Sequence, residues 1–144
     1  MACGSSTEPG DQGGRAPHLP LRPLWLDLYT SHTTQLEAFA EWCGYAEGFD
    51  LVDNLVGVVV LRAGQYCIHV QGEFAKVHGL NAVTILVNSQ RVATSKQLAT
   101  ADKQVDVTTV VSLRQGDVVR VQTLGPKTVL ASGAILNMYE LYVY

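Results

Sequence analysis

Acid–base, nucleophilic and metal chemistry draw on a short set of side chains, here four histidines, thirteen carboxylates and three cysteines spread over 144 residues. His69 falls on the polar side of an alternating stretch and His78 at the turn after it, so the two imidazoles can converge as metal ligands. No acidic or cysteine spacing completes a zinc set around them, and they read as solvated surface histidines. Asp50 with Asp53, and Asp102 with Asp106, can be read as acid and base or as calcium ligands, but neither spacing is diagnostic of a glycosidase pair or of a calcium loop, which needs several oxygens in register with a glycine turn; they read as solvated loop acids. Cys3, Cys43 and Cys67 are odd in number and widely spaced, without C-x-x-C, so no disulfide is expected to hold the fold and Cys67 reads as an inert buried thiol. G-x-S-x-G, phosphate-loop, G-x-G-x-x-G and H-E-x-x-H motifs are all missing from the sequence. The expectation is a protein that is not an enzyme and carries no metal or cofactor.

The chain is 47% hydrophobic and 16% charged with a net charge of −3, the composition of one compact domain. No Lys/Arg stripe provides a phosphate-binding surface, which argues against nucleic acid. The longest apolar stretch, Leu55 to Leu61, is far short of the roughly 20 residues of a membrane helix, so no membrane partner is expected. A basic start followed by an apolar block is also missing at the N-terminus, so synthesis in the cytoplasm is expected.

Composition changes near residue 23. Pro9, Pro17, Pro20 and Pro23, with Gly4, Gly10, Gly13 and Gly14, prevent residues 1–23 from sustaining a helix or a ladder. Glu8, Asp11, Arg15 and Arg22 cancel in charge, and little apolar area is present before Leu19, so the segment reads as an irregular arm that orders on a partner. Leu19, Leu21 and Arg22 are its candidate contacts.

Residues 24–144 form the domain, dominated by period-two alternation. Tyr66, Ile68, Val70, Gly72 and Phe74 alternate with Gln65, Cys67, His69, Gln71 and Glu73, the pattern of a strand with one dry face. Similar alternation runs through Val83–Val87, Val105–Leu113, Val119–Thr123 and Ile135–Val143, the last on Ile135, Asn137, Tyr139, Leu141 and Val143. Turn signals separate these runs: Gly64 after Arg62-Ala63, His78-Gly79, Asn88-Ser89, Gly116-Asp117 after Arg114-Gln115, and Gly125-Pro126. Leu24 to Leu28 alternates, whereas Thr34 to Trp42 places Leu36, Phe39 and Ala40 at near-helical spacing; strands are favoured there, because one helical turn and a half would have little to bury against. The spacing predicts an all-β sandwich or barrel, with no internal repeat.

Four motifs occur in order over residues 45 to 144: Phe49-Asp50 followed by Val58-Val59-Val60 and Ala63-Gly64-Gln65-Tyr66, then Ile85-Leu86-Val87-Asn88, then Val111-Ser112-Leu113-Arg114-Gln115-Gly116-Asp117, then Leu136 to Leu141. This series resembles the tumour necrosis factor and complement-q globular-head superfamily, with Ser89 where the hairpin usually has glycine. The resemblance implies a two-sheet jelly-roll sandwich that assembles as a homotrimer. Lacking signal, collagen-like stalk and disulfide framework, the chain looks most like the bacteriophage and bacterial structural-protein versions.

A short sandwich has exposed edges that a symmetric ring covers, and Tyr139, Tyr142 and Tyr144 are the candidate trimer-interface residues. The leading expectation is a non-enzymatic virion structural protein: a homotrimeric module anchored to other particle proteins by its arm as a capsid decoration or a head or tail appendage. An alternative is a host receptor- or glycan-binding module at a fibre tip, to which Trp25, Trp42 and Tyr45 would contribute. A cytokine-like trimeric ligand is third.

Overall fold

The structure is a computed structural model that describes residues 22–34, 38–76, 82–95, 104–124 and 129–141. Expectations placed on Cys3, His18, Leu19, Leu21, His78, Asp102, Tyr142 and Tyr144 lie outside these residues. Eleven strands follow in order: β1 Trp25–Tyr29, β2 Cys43–Glu47, β3 Phe49–Val52, β4 Gly57–Val60, β5 Gly64–Lys76, β6 Ala82–Val87, β7 Gln90–Thr94, β8 Gln104–Leu113, β9 Val118–Leu124, β10 Val129–Leu130 and β11 Ile135–Glu140. No helix occurs among the described residues.

The strands form two antiparallel sheets. In the first, β2, β1, β11 and β5 are neighbours in that order, β8 pairs with β5, and the short β10 also pairs with β5 at Phe74 and Lys76. The second runs β3-β4-β9-β6-β7. Partners distant in sequence, β1 with β11, β5 with β8 and β4 with β9, give the expected jelly-roll sandwich. Leu24, Leu26 and Leu28 bury their side chains inward, as do Tyr66, Ile68, Val70 and Phe74 of β5. They meet Val58, Val60, Val83, Ile85, Val119 and Val121 of the second sheet in one core, each such side chain contributing about 1.5–3 kcal/mol.

Three sequence expectations are corrected. The C-terminal alternation was placed on Ile135, Asn137 and Tyr139, but the core side of β11 is Leu136, Met138 and Glu140. The outward positions are as apolar as the inward ones, so periodicity alone chose the wrong parity. Cys43 is disulfide-bonded, whereas Cys67 is a free buried thiol; an odd count of three permits one pair. The strands favoured over Thr34 to Trp42 are not found among the described residues there, which form neither strand nor helix: Phe39 makes an isolated bridge to Gln122, and the Ala40 amide donates to the Val121 carbonyl at 2.9 Å.

The end of the sandwich where β1 begins is held by a buried ion pair. Glu140, wholly buried at the end of β11, accepts from Arg62 Nη2 at 2.5 Å and Nε at 3.1 Å, and from the Leu24 amide at 3.1 Å. Gly64 opens β5 beside this carboxylate, where an added Cβ would meet Glu140 Oε2 at 2.9 Å. The Tyr66 hydroxyl donates to the Arg62 carbonyl at 2.6 Å. Burial, and then the negative charge of Glu140, push the Tyr66 phenol well above its usual range, against the opposing effect of Arg62.

Candidate interaction face

With the leucines of β1 turned inward, Trp25, Asp27 and Tyr29 must point outward, because side chains alternate along a strand. The same rule turns out Ile135, Asn137 and Tyr139 on β11, Cys67, His69 and Gln71 on β5, and Asp106, Thr108 and Val110 on β8. Strand register then sorts these residues into rungs across the sheet. One rung runs Val110, Cys67, Tyr139, Trp25. The next runs Thr108, His69, Asn137, Asp27, Tyr45, and the third Asp106, Gln71, Ile135, Tyr29.

An apolar rung thus lies beside a polar one. Trp25 stacks on Tyr45 with ring centroids 4.7 Å apart. In the polar rung Asn137 Nδ2 donates to Asp27 Oδ1 at 2.8 Å, and His69 Nε2 meets Asp106 Oδ1 at 2.8 Å. Between the two rungs is a cavity of about 380 Å³ lined by Trp25, Asp27, Cys67, His69, Thr108, Asn137 and Tyr139. Cys67 faces outward yet is only 7% exposed. A hydrogen bond to Cys67 holds the Tyr139 phenol above its usual range.

Exposed apolar area is concentrated here. Of eight large hydrophobic side chains exposed among the described residues, six lie on this face: Trp25, Tyr29, Tyr45, Val110, Ile135 and Tyr139. Large hydrophobics exposed singly are ordinary on a surface, whereas six gathered on one sheet face, five of them in rungs to either side of the polar one, make it a candidate interaction site. Among the described residues no three His, Cys, Asp or Glu side chains gather as a metal set.

Tyr139 is the only one of the three predicted interface tyrosines within the described residues, and it stands on this face, 45% exposed. Trp25 and Tyr45, named for glycan binding, stack together, but Trp42 is fully buried in the core, which corrects its assignment to a surface cluster. Arg22 is held by its own domain, pairing with Glu47 at 2.7 and 2.9 Å, and its carbonyl accepts from Arg62 Nη2 at 2.9 Å. Asp53 pairs with Arg120 and Asp106 with His69. Gly116, at φ 95°, and Asp117 form the β8–β9 corner, where Asp117 Oδ2 accepts from the Arg114 amide at 2.8 Å. Asp117 Oδ1 also accepts from Asn88 Nδ2 at 2.8 Å. Sequence reasoning missed Tyr29, Val110 and Ile135 as site residues; the aromatics alternating with leucines in β1 were the available signal.

No family model and no curated protein matches the chain. Solved structures do. Eiger TNF from S. frugiperda superposes with a TM-score of 0.72 at 12% identity, covering 85% of this chain and 96% of that one. Murine APRIL at pH 8.0 gives 0.69 at 18% identity, covering 83% and 100%, and Pika GITRL gives 0.57 at 15%, covering 83% and 95%. At these identities the likeness establishes the fold, a tumour necrosis factor-like jelly roll.

Proposed function

We propose that this chain is a non-enzymatic, homotrimeric ligand of the tumour necrosis factor-like type, which assembles through the outward face of the β2-β1-β11-β5-β8 sheet and presents its remaining surface to a receptor. The observation that carries this reading is the clustering of six exposed large hydrophobics on that face, four of them aromatic. Aromatic residues with apolar bodies and polar tips are enriched at protein interfaces, and fully covering them stabilises an assembly that leaves the other sheet free. A closed ring of three also shelters the exposed edges of the sandwich. Likeness to Eiger TNF, APRIL and GITRL supports a ligand over a virion component. Particle attachment finds no support of its own: of residues 1–23 only Arg22 and Pro23 are described, and Arg22 is engaged by Glu47.

Sedimentation equilibrium tests the assembly. A mass three times 15.6 kDa is expected; a monomer over the whole concentration range would overturn it.

A further inference from the structure

Cys43 faces outward and yet is fully covered. Register sets it opposite Tyr29, so it ends the third rung of the interaction face, because residues paired across strands share a face. Its outward neighbours stand in solvent: Tyr29 is 41% exposed and Tyr45, two residues along β2, 51%. Cys43 itself is 0% exposed, with Sγ 3.5 Å from the Tyr29 carbonyl oxygen. β2 ends its sheet, so among the described residues no further strand lies beyond it as a cover. A short side chain buried between two half-exposed ones has something lying on it, and for a disulfide-bonded cysteine that is its partner half-cystine.

The chain has three cysteines, of which Cys67 is a free thiol. Geometry excludes Cys67 as well. β1 and β11 stand between β2 and β5, so Cys43 and Cys67 are three strand spacings apart, about 14 Å, roughly twice what a disulfide bridges between Cα atoms.

We propose that Cys43 is joined to Cys3, which lies outside the described residues, and that this bond latches the N-terminal arm to the rim of the interaction face. Length allows it. Arg22 is fixed to Glu47 at one end of β2, and Cys43 opens the other end four residues away, about 13 Å along the strand. The 20 residues between positions 3 and 23 can reach about 65 Å. The latch closes by thiol–disulfide exchange, in which the two thiols give two protons and two electrons to a small disulfide such as oxidised glutathione, released as two thiols. A dithiol reductant reverses the exchange, is itself oxidised to a disulfide, and frees the arm from the rim. The bond lies within one chain and is independent of the number of subunits.

Trypsin separates the three cysteines, because cleavage after Arg15, Arg62 and Lys76 puts them on peptides 1–15, 16–62 and 63–76, Arg22 being protected by Pro23. Full-length protein is refolded in a glutathione redox buffer, blocked with iodoacetamide in denaturant, digested without reductant and weighed by mass spectrometry. Peptide 1–15 linked to 16–62 is expected, with 63–76 alkylated at Cys67. A link from 16–62 to itself or to 63–76, or three alkylated peptides, would overturn the bond. Brief dithiothreitol treatment of the folded protein should then open Cys43 to iodoacetamide at least about tenfold faster than Cys67, which no disulfide covers. Equal rates, or the reverse order, would show that the arm is not what covers Cys43 and would overturn the latch.

Discussion

Glu140 and Arg62, 78 residues apart in sequence, form an ion pair whose carboxylate is completely shut off from solvent. The pair joins the last core strand to the corner before β5, and the Leu24 amide draws the start of β1 into the same cluster. Such pairs contribute little net stability against an apolar replacement of the same shape, yet removing one partner leaves an uncompensated buried charge. Arg62→Ala is therefore expected to destabilise the domain by about 3–5 kcal/mol, measured by urea denaturation. A loss below about 1 kcal/mol would show that water reaches Glu140 in solution.

Beside it, Tyr66 governs the alkaline limb of stability. Its phenol is raised in the fold above the unfolded value of about 10, so its contribution is complete below about pH 10 and is lost as pH climbs toward the folded value. Tyr66→Phe removes the hydrogen bond to the Arg62 carbonyl, costing about 1 kcal/mol near neutrality. The same change should flatten the decline above about pH 10, so equal alkaline slopes for variant and wild type would assign the decline to other groups.

The β6–β7 hairpin turns on two residues with left-handed backbone, Asn88 at φ 50° and Ser89 at φ 73°. Asparagine tolerates this conformation, and serine does so at a cost that glycine avoids. Ser89→Gly is expected to stabilise the domain by about 0.5–1 kcal/mol with no change in the denaturant slope.

Trp25→Ala and Tyr139→Ala separate assembly from folding. Both side chains are about half exposed, 43% and 45%, so each truncation should leave the monomer fold intact by far-ultraviolet circular dichroism. Each should also weaken trimer formation at least tenfold, an effect of about 1.4 kcal/mol or more. Trimers of undiminished stability in both variants would move the interface off this face.

Periodicity located most of the strands because their two faces differ. In β5 the contrast between Tyr66, Ile68 and Val70 on one side and Gln65, His69 and Gln71 on the other is plain in the sequence, and the structure keeps it. Along β11 that contrast is lost: Ile135 and Tyr139 face out, while a charged residue, Glu140, faces in. An outward face that is itself apolar, and an inward position stabilised by an arginine 78 residues away, defeat any reading that equates apolar with buried. The candidate site was legible only in fragments. Tyr139 was visible as an aromatic of the last strand, but its position opposite both Cys67 and Trp25 follows from strand pairing across the whole chain. Local spacing carries no trace of such register. The β2 and β7 strands were missed because, unlike the equally short β1, Cys43–Glu47 and Gln90–Thr94 do not alternate between buried and exposed positions.

The pairing of Trp25 with Tyr139, together with the bond from the Leu24 amide to Glu140, sets the entrance and the exit of the sandwich side by side. A short peptide could join those two points without disturbing either sheet, and the chain could then be opened at the exposed β6–β7 hairpin to give new ends. In the proposed ring the existing pair of ends would repeat three times at one pole. Cargo fused before Arg22 or after Leu141 would then gather in a single triangular cluster, and the opposite pole would stay clear.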